Sequence, residues 1–299
     1  MEIVFLGTSS MVPTKERNQS ALLISYGSEG ILVDCGEGTQ RQLKIAGISP
    51  AKITKILITH WHGDHVLGLP GLIQTMSSFD IEQQLDIYGP EGTQRQLEHL
   101  KKAFLMEENR GGLKVSGNEV SEKRFFEGRE FALEAMRLDH TAPCLGYSLV
   151  EKDKRKIDLD KAKKFGLQPG PLLGQLQEGK TVSWKGKTVK PEDVSHVAKG
   201  KKVTVISDTK LCKACTELAE GADVLICEAT YSNDLEEKAE LYKHLTAQQA
   251  ALIANNAGAK RLILTHFSQR YKNVQQIEEE ARTVFDNVIC AHDFMKINV

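Results

Sequence analysis

The sequence predicts a layered α/β protein, and two observations lead to that fold class. Short apolar runs rich in β-branched residues alternate with amphipathic helical stretches, and several of the runs are apolar throughout. Strands of that kind are buried on both faces, so helices are expected to cover the sheets. With 299 residues, of which 40% are hydrophobic and 26% charged, the chain can bury a full core. No run approaches the ~18 apolar residues of a membrane span, so no membrane partner is expected.

Eleven short apolar runs are predicted to form strands. Each is four to eight residues long and is bounded by Gly, Pro, Asp or Ser, which are the residues expected around strands. In chain order the predicted strands are Glu2–Leu6, Ala21–Tyr26, Ile31–Asp34, Ile53–Thr59, Leu85–Tyr88, Phe131–Leu138, Gly146–Val150, Lys202–Ile206, Ala222–Glu228, Arg261–Thr265 and Asn287–Ala291.

Six longer stretches between these strands are predicted to be helices. The last of them carries five apolar residues on one stripe and three glutamates opposite, which is the pattern of an amphipathic surface helix. Thr246, followed three residues later by Gln249, predicts a capping box at the start of the fifth. In chain order the predicted helices are Thr39–Ile45, Val66–Ser78, Thr93–Phe104, Cys212–Glu220, Ala247–Asn256 and Val274–Phe285.

One segment, from Glu151 to about Pro191, breaks this alternation. It contains many charged residues, and Gly and Pro recur in its middle. It is therefore predicted to be an excursion between two strands rather than core. The segment from Lys152 to Lys190 contains eleven Lys and Arg residues and four acidic residues, which gives it a local charge of +7. Because the whole chain has a net charge of −1, the rest of the chain carries −8. A basic segment on an acidic body indicates a partner with phosphates, although a solvated lysine-rich loop explains the charges equally well.

The strongest chemical signal is the run His60-Trp61-His62-Gly63-Asp64-His65, which directly follows the predicted strand Ile53–Thr59. Imidazole and carboxylate groups are suitable ligands for Zn²⁺ and related ions. On an extended stretch the first two histidines project to the same side. The glycine then allows a turn, which lets the aspartate and the last histidine reach a second point nearby.

Three further candidate ligands follow other apolar runs, at the strand ends where an α/β sheet presents its chemistry. They are His140, Asp208 and His266. Seven ligands are too many for one four-coordinate ion but suit two ions that share a carboxylate. The expected sets are His60, His62 and His140 for one ion, Asp64, His65 and His266 for the other, and Asp208 as the bridge.

This pattern resembles the metallo-β-lactamase superfamily, and within it the short-form tRNase Z (ribonuclease Z) family, over essentially the whole chain. The loop Pro13-Thr14-Lys15-Glu16-Arg17-Asn18 matches the family's P-x-K-x-R-N loop. Cys227-Glu228-Ala229-Thr230 stands where the family has His-Glu-Ala-Thr, and His244-Leu245-Thr246 where it has His-Ser-Thr. Both departures keep the functional residue, Glu228 in the first motif and His244 in the second.

The resemblance implies a four-layer αββα sandwich, formed by residues 1–299 as a single domain, with an inserted flexible arm at about 151–191 that binds tRNA. It implies an endoribonuclease that removes 3′ trailers from tRNA precursors and leaves a 3′-hydroxyl on the tRNA and a 5′-phosphate on the trailer. The expected cofactors are two Zn²⁺ per subunit, with other divalent metals such as Mn²⁺ left open. A homodimer is implied, with precursor tRNA rather than DNA as partner.

The two ions determine the expected mechanism, because two metals ~3.5–4 Å apart can lower the pKa of a shared water toward ~7. A hydroxide that bridges the metals is the expected nucleophile, and Asp64 is expected to accept its proton. Glu228 is expected to orient His244, which protonates the departing 3′ oxygen as a general acid. Substrate binding is expected from Lys15, Arg17 and Asn18 near the cleavage site and from Lys154, Arg155, Lys156, Lys163 and Lys164 in the arm.

Four other functions are compatible with a metal-binding fold of this kind. A thioester hydrolase resembling glyoxalase II needs neither the P-x-K-x-R-N loop nor a basic arm. The related exonuclease and cleavage-factor group needs a large extra domain, and a diiron redox enzyme replaces some cluster histidines by carboxylates. A non-catalytic nucleic-acid binder is disfavoured because every candidate ligand is intact.

The number and spacing of the cysteines lead to two further predictions. Six cysteines in so long a chain give no dense disulfide framework, which favours a reducing, cytoplasmic location. Cys212-Lys213-Ala214-Cys215 is a lone CxxC on a predicted helix, and it is expected to be structural because no partner pair follows.

Overall fold

The structure is a computed structural model that describes residues 1–78, 82–104, 112–120 and 123–299. The strands in these residues are β1 (Glu2–Gly7), β2 (Ala21–Tyr26), β3 (Glu29–Val33), β4 (Ile53–Leu57), β5 (Gln83–Gly89), β6 (Leu113–Glu119), β7 (Lys123–Glu127), β8 (Phe131–Leu138), β9 (Cys144–Glu151), β10 (Lys154–Ile157), β11 (Val182–Trp184), β12 (Lys187–Val189), β13 (Ser195–Ala198), β14 (Lys202–Ile206), β15 (Val224–Glu228), β16 (Leu262–Thr265), β17 (Val288–Cys290) and β18 (Lys296–Asn298).

The helices complete the secondary structure of these residues. They are α1 (Thr39–Ile45), α2 (Gly63–Val66), α3 (Leu69–Ser77), α4 (Thr93–Phe104), α5 (Leu159–Lys164), α6 (Pro171–Gln177), α7 (Pro191–Val194), α8 (Lys213–Ala219), α9 (Glu236–Tyr242), α10 (Ala247–Asn256) and α11 (Gln275–Arg282), with 3₁₀ turns at Pro50–Lys52 and Asn233–Leu235. None of these helices combines the length and the apolar composition that crossing a bilayer requires.

The chain divides into two compact units, of which the first comprises 1–127, 133–149 and 202–299. It contains two seven-stranded sheets, in the orders β18-β1-β2-β3-β4-β5-β6 and β17-β16-β15-β14-β9-β8-β7. In the first sheet β18 to β3 are antiparallel and β3 to β6 are parallel, whereas β14 to β17 of the second sheet are parallel.

Each sheet packs its own set of helices, which gives the four-layer αββα sandwich that the resemblance implied. One apolar cluster joins the first sheet to α1, α3 and α4, and another joins the second sheet to α8, α10 and α11. Strand β1 shows why several of the predicted strands are apolar throughout. Alternate side chains of a strand point to opposite faces of its sheet, and both faces are buried here. Val4 and Leu6 pack in the helix-side cluster, whereas Phe5 lines a small gap together with Val205 and Ile226 of the other sheet.

All eleven predicted strands and all six predicted helices are present, with small shifts at their ends. The predicted helix Val66–Ser78 is divided into α2 and α3 around Gly68. The capping box of α10 is confirmed, since Thr246 and Gln249 exchange side-chain and backbone hydrogen bonds. Strands β6 and β7, which end the two sheets, were missed because each contains only two large apolar residues, too few for a periodic pattern.

The second unit comprises residues 128–132 and 150–201, and the predicted insertion lies within it. Two small hairpins, β10 with β13 and β11 with β12, accompany α5, α6 and α7. The unit has an apolar cluster of its own, formed by Ala162, Leu167, Leu173, Leu176, Val182, Val189 and Val194. This small cluster was not predicted from the sequence, because the apolar residues of the segment are few and lie among lysines and glycines.

Candidate metal centre and active site

The seven predicted ligands meet at the carboxyl ends of strands from both sheets of the first unit. His60 and His62 follow β4, and Asp64 and His65 lie in the short helix α2 that comes next. The remaining three follow strands β8, β14 and β16 of the second sheet and are His140, Asp208 and His266. Ligand atoms of His60, His62, His140 and Asp208 lie within 4.8 Å of one another, as do those of Asp64, His65 and His266.

The first group presents three imidazole nitrogens to one point. His60 Nε2 is 2.9 Å from His62 Nδ1, and His140 Nε2 is 3.4 Å from the same atom. Burial and the neighbouring His65 hold the pKa of His60 well below its usual value. A neutral imidazole has a lone pair for a cation, so this group is suited to bind one.

The second group is equally compact. His65 Nε2 is 3.3 Å from Asp64 Oδ2, and His266 Nε2 is 3.7 Å from the same oxygen. Although burial works in the opposite direction, the neighbouring rings of His266 and His65 lower the pKa of the Asp64 carboxyl. The carboxylate is therefore ionised and can serve as a ligand.

Asp208 lies between the two groups with one carboxylate oxygen toward each. Its Oδ2 is 3.8 Å from both His60 Nε2 and His140 Nε2. Its Oδ1 is 3.5 Å from His65 Nε2 and 3.1 Å from His266 Nε2. This is the arrangement expected of a carboxylate that is shared by two ions.

Unsatisfied atoms provide a test of whether cations fit here. Among the described residues the buried side-chain nitrogen and oxygen atoms without a hydrogen-bond partner are Arg17 Nε, His65 Nε2 and His266 Nε2. A buried polar atom without a partner costs about 1–3 kcal/mol, so such atoms are rare without a reason. Two of the three point into the second ligand group, where a cation would satisfy both.

The opposite ring nitrogens of the ligands are fixed by hydrogen bonds to the protein. His65 Nδ1 is 2.7 Å from Asp34 Oδ2, and His60 Nδ1 is 3.1 Å from Thr59 Oγ1. His140 Nδ1 is 3.0 Å from the Lys243 carbonyl. Such contacts fix the tautomer and orient the ring, so Nε2 is the nitrogen presented to a metal.

Asp34 is a functional residue that sequence reasoning missed. It has a positive φ of 58° at the end of β3 and is almost fully buried. Its carboxylate also accepts bonds from the backbone N–H and the hydroxyl of Thr59, each at 2.8 Å. The available signal was its place at the carboxyl end of a predicted strand, which is the position that identified His140, Asp208 and His266.

Glu228 and His244 form a hydrogen-bonded pair beside the candidate ligands. His244 Nδ1 is 3.0 Å and 3.2 Å from the two oxygens of Glu228, which is fully buried and also accepts the Thr209 N–H at 2.8 Å. Burial would lower the pKa of His244, but the charges of Glu228 and Asp208 outweigh it and raise the pKa to about 9. Because Nδ1 contacts Glu228, Nε2 is the nitrogen left for a substrate.

Residues of the loop 13–18 differ in their surroundings. Lys15 is exposed. Arg17 is buried, and its guanidinium donates to the carbonyls of Ser268 at 3.3 Å and Tyr271 at 2.7 Å. Asn18 donates through its side chain to the Glu37 carbonyl at 2.7 Å. Arg17 and Asn18 thus hold the loop in place, and Lys15 is the member whose charge faces solvent.

The arm residues predicted to bind RNA also differ in exposure. Lys156, Lys163 and Lys164 are exposed, and a weak surface pair links Lys163 to Asp160 at 3.6 Å. Lys154 and Arg155 are half-buried and form ion pairs within the second unit. The three exposed lysines are therefore the ones whose charges are most available to a partner.

Two family models match the chain. The one described as Anti-Pycsar protein Apyc1 matches residues 1–164, and the one described as Beta-lactamase superfamily domain matches residues 179–267. The first contains the ligands from His60 to His140, and the second contains Asp208, Glu228, His244 and His266. The two matches together include every residue of the proposed centre.

Curated relatives and a solved structure match the chain from end to end. A protein named Ribonuclease Z from Methanothermobacter thermautotrophicus is 42% identical over 100% of this chain and 97% of its own length. Another of that name from Methanosarcina mazei is 40% identical over 100% of this chain and 98% of its own length. The crystal structure of human tRNase Z, short form, has a TM-score of 0.73 at 30% identity and covers 100% of this chain and 99% of that one.

The ligand geometry predicts a specific metal stoichiometry. We expect two divalent ions per chain in the wild type and about one in His62→Ala, which loses a ligand from the first group alone. Asp208→Ala removes the shared carboxylate and should lose most of both ions. Inductively coupled plasma mass spectrometry after gel filtration measures the content. His292→Ala, at an exposed histidine outside both groups, is the control and should keep both ions, whereas full occupancy in Asp208→Ala would contradict a shared ligand.

Proposed function

The chain belongs to the ribonuclease Z family, and from this premise we propose that it removes the 3′ trailer of tRNA precursors as a metal-dependent endoribonuclease. The observation that carries the proposal is the 42% identity over the whole chain to a relative named Ribonuclease Z. The ligand geometry supports it, because two metal positions that share a carboxylate suit the hydrolysis of a phosphodiester. The products are a tRNA with a 3′-hydroxyl and a trailer with a 5′-phosphate.

Two Zn²⁺ ions per chain fit the ligands best, because imidazole and carboxylate donors in groups of three or four match the preferences of zinc. Mn²⁺ could occupy the same positions, since metal supply often decides between such ions. When bound, the two cations would supply an activated water and neutralise the charge that develops on the phosphoryl oxygens.

Asp64 is placed to accept the proton of the attacking water. Its carboxylate is fixed on one side, where Oδ2 accepts the Met11 N–H at 2.8 Å. The side chain remains 11% exposed, more than that of Asp208 at 4%, so it borders the space that a substrate enters. A carboxylate that is held rigid and borders the reaction space can take a proton without moving.

His244 is placed to protonate the departing 3′ oxygen. Its ring is fixed by the buried Glu228, which in turn is held by the Thr209 N–H and by the Thr230 hydroxyl at 2.5 Å. The negative charge of Glu228 favours the protonated imidazole, which is the form that a general acid requires. Glu228 acts through His244 and is therefore a positioning residue.

The general-acid role predicts a dependence on the leaving group. His244→Ala should slow single-turnover cleavage of a precursor tRNA by ~10²–10⁴-fold, the usual effect of losing a positioned acid. The loss should largely disappear with a substrate whose departing 3′ oxygen is replaced by sulfur, because a thiolate leaves without a proton. His292→Ala is the matched control and should cleave both substrates at the wild-type rate. An equal loss on both substrates, with metal content unchanged, would show that His244 does not act as the acid.

The second unit is proposed to bind the body of the tRNA. Among its exposed lysines, Lys156, Lys163 and Lys164 are the predicted contacts, and they lie in the segment that carries a local charge of +7. Folded RNA is bound mainly through its phosphates and shape, so the unit needs positive charge rather than base-specific contacts. Lys154 and Arg155 remain proposed contacts, although they also form ion pairs within the unit.

The charge of the second unit predicts a change in salt dependence. Replacing Lys156, Lys163 and Lys164 together by Ala should weaken precursor binding. A plot of the logarithm of the binding constant against the logarithm of the salt concentration has a negative slope. The variant should make that slope shallower by ~2–3, because each lost phosphate contact contributes ~0.7–0.9. Fluorescence anisotropy from 50 to 200 mM salt (roughly the range in which such contacts are lost) measures both.

The control for this variant replaces three exposed lysines of the first unit, Lys44, Lys52 and Lys238. It should leave binding and its salt dependence unchanged. Cleavage of a small phosphodiester such as bis(p-nitrophenyl) phosphate should be equal in both triple variants, because that substrate has no tRNA body. A slope that falls equally in both variants would show that the binding charge is not confined to the second unit.

One assay tests the proposed function as a whole. The metal-loaded protein should convert a 3′-extended tRNA into a tRNA with a 3′-hydroxyl and a 5′-phosphorylated trailer, and a chelator should abolish this activity until metal is restored. A glutathione thioester should remain intact. Thioester cleavage without RNA cleavage would instead assign the chain to the glyoxalase II type of activity. The assay does not address the predicted homodimer and cytoplasmic location, which stay predictions.

A further inference from the structure

Cys212 and Cys215 lie at the start of α8, in the same strand-end loop that carries Asp208. Their Sγ atoms are 3.4 Å apart, and the Cys215 N–H donates to the Cys212 carbonyl at 3.1 Å. Cys215 is fully buried, whereas Cys212 is only partly buried. The backbone therefore holds the two thiols together, with one accessible from solvent and the other shielded.

Cys215 belongs to the apolar cluster of the second sheet and Cys212 packs against it, but packing alone does not require the two sulfurs to face each other. Cys212 is the N-cap residue of α8 but makes no side-chain capping bond, although Ser, Thr, Asp and Asn are the residues that cap helices well. Neither thiol belongs to any group of three or more potential metal ligands found among the described residues. A zinc site would therefore lack its remaining ligands.

The two sulfurs differ in chemical character. The hydrogen bond between the two sulfurs lowers the pKa of Cys212 against the opposing effect of burial. The same bond, together with burial, raises the pKa of Cys215. The accessible sulfur is thus the better nucleophile at neutral pH, and the buried one is placed to react second.

We propose that Cys212 and Cys215 form a redox-active dithiol, which a small-molecule disulfide such as glutathione disulfide closes into an intramolecular bond. The Cys212 thiolate attacks one glutathione sulfur, which forms a mixed disulfide and expels a glutathione thiolate. The Cys215 thiol gives its proton to that thiolate and attacks Cys212 Sγ, expelling the second glutathione thiolate, which takes a proton from solvent. Two cysteine thiols are oxidised, and one glutathione disulfide is reduced to two glutathione thiols.

Oxidation of the two cysteines should also disturb the positions of Glu228 and His244 beside the metal centre. The expected loss of activity rests on the proposed function. Thr209 connects the two places, because its Oγ1 is 3.9 Å from Cys212 Sγ and its N–H donates to Glu228 Oε1 at 2.8 Å. A disulfide has a sulfur–sulfur distance of ~2.05 Å, so the two Sγ atoms must approach each other by about 1.4 Å. A shift of that size beside Thr209 disturbs the contact that holds Glu228, and with it the ring of His244.

The test begins with chemistry that does not depend on nuclease activity. The metal-loaded, full-length protein is incubated with glutathione disulfide, alkylated and analysed by peptide mass spectrometry. The wild type and the control Cys290→Ser should show a Cys212–Cys215 disulfide, a loss of two hydrogens. Cys215→Ser should stop at a glutathione adduct on Cys212, and Cys212→Ser should show neither product. An unmodified wild type, or a bond between two chains in place of an internal one, would overturn the proposal.

Activity and metal content are then measured on the same samples. We expect single-turnover cleavage to fall about tenfold on oxidation and to recover with dithiothreitol, because small misplacements near a reacting centre can cost as much as ~10²-fold. Cys212→Ser should keep its rate under both conditions. A full rate in the oxidised wild type, or an equal loss in Cys212→Ser, would overturn the link to the site. Absence of cleavage in the reduced, metal-loaded wild type would refute the proposed function. The redox-active dithiol would still be tested by the peptide mass spectrometry described above.

Discussion

The centre depends on one buried carboxylate, that of Asp208, whose two oxygens face two groups of imidazoles. Removing an ionised carboxylate from water is costly unless charge or hydrogen bonds compensate for it. The nearest nitrogens cannot all do so as cations, because burial and its neighbours keep His60 neutral. His65 and His266 present buried nitrogens with no protein partner. Cations bound between the two groups would satisfy these nitrogens and compensate the charge of the carboxylate.

The topology of the second sheet places other residues of the candidate site close to Asp208. Strands β14, β15 and β16 are parallel neighbours, so the residues that follow or end them share one edge of the sheet. Asp208, Glu228 and His266 occupy that edge, and the Thr230 hydroxyl joins the last two through contacts of 2.5 Å to Glu228 and 3.0 Å to His266 Nδ1. The proposed acid pair and a metal ligand are thus fixed by the same strands, and a disturbance of one affects the other.

The sequence was sufficient for the parts of the molecule that follow from periodicity and strand ends. His140, Asp208 and His266 could be predicted because each comes at the end of an apolar run, and for Asp208 and His266 the parallel strands β14 to β16 bring those ends together. Asp34 occupies the same kind of position, but a single acid beside a glycine-rich turn carries no ligand pattern, and its contact with His65 needs coordinates. The Lys243 carbonyl that fixes His140 could not be predicted at all, because backbone groups have no sequence signal. Arg17 looked like a phosphate contact, and only packing shows that its guanidinium binds two carbonyls.

The distribution of charge shows what the proposed cations and the basic insertion would each contribute. Outside the segment from Lys152 to Lys190 the chain carries −8, which repels a polyanion, and two divalent cations would reduce that to −4. Fields from exposed charges fade over ~8–10 Å at physiological salt, so lysines can attract the body of an RNA without acting on the scissile phosphate at a distance. In the proposed reaction the phosphate needs positive charge at contact range, which the cations would provide, whereas the larger body needs many weak contacts, which the lysines would provide. Affinity and rate would then depend on different residues, and the two could be altered separately.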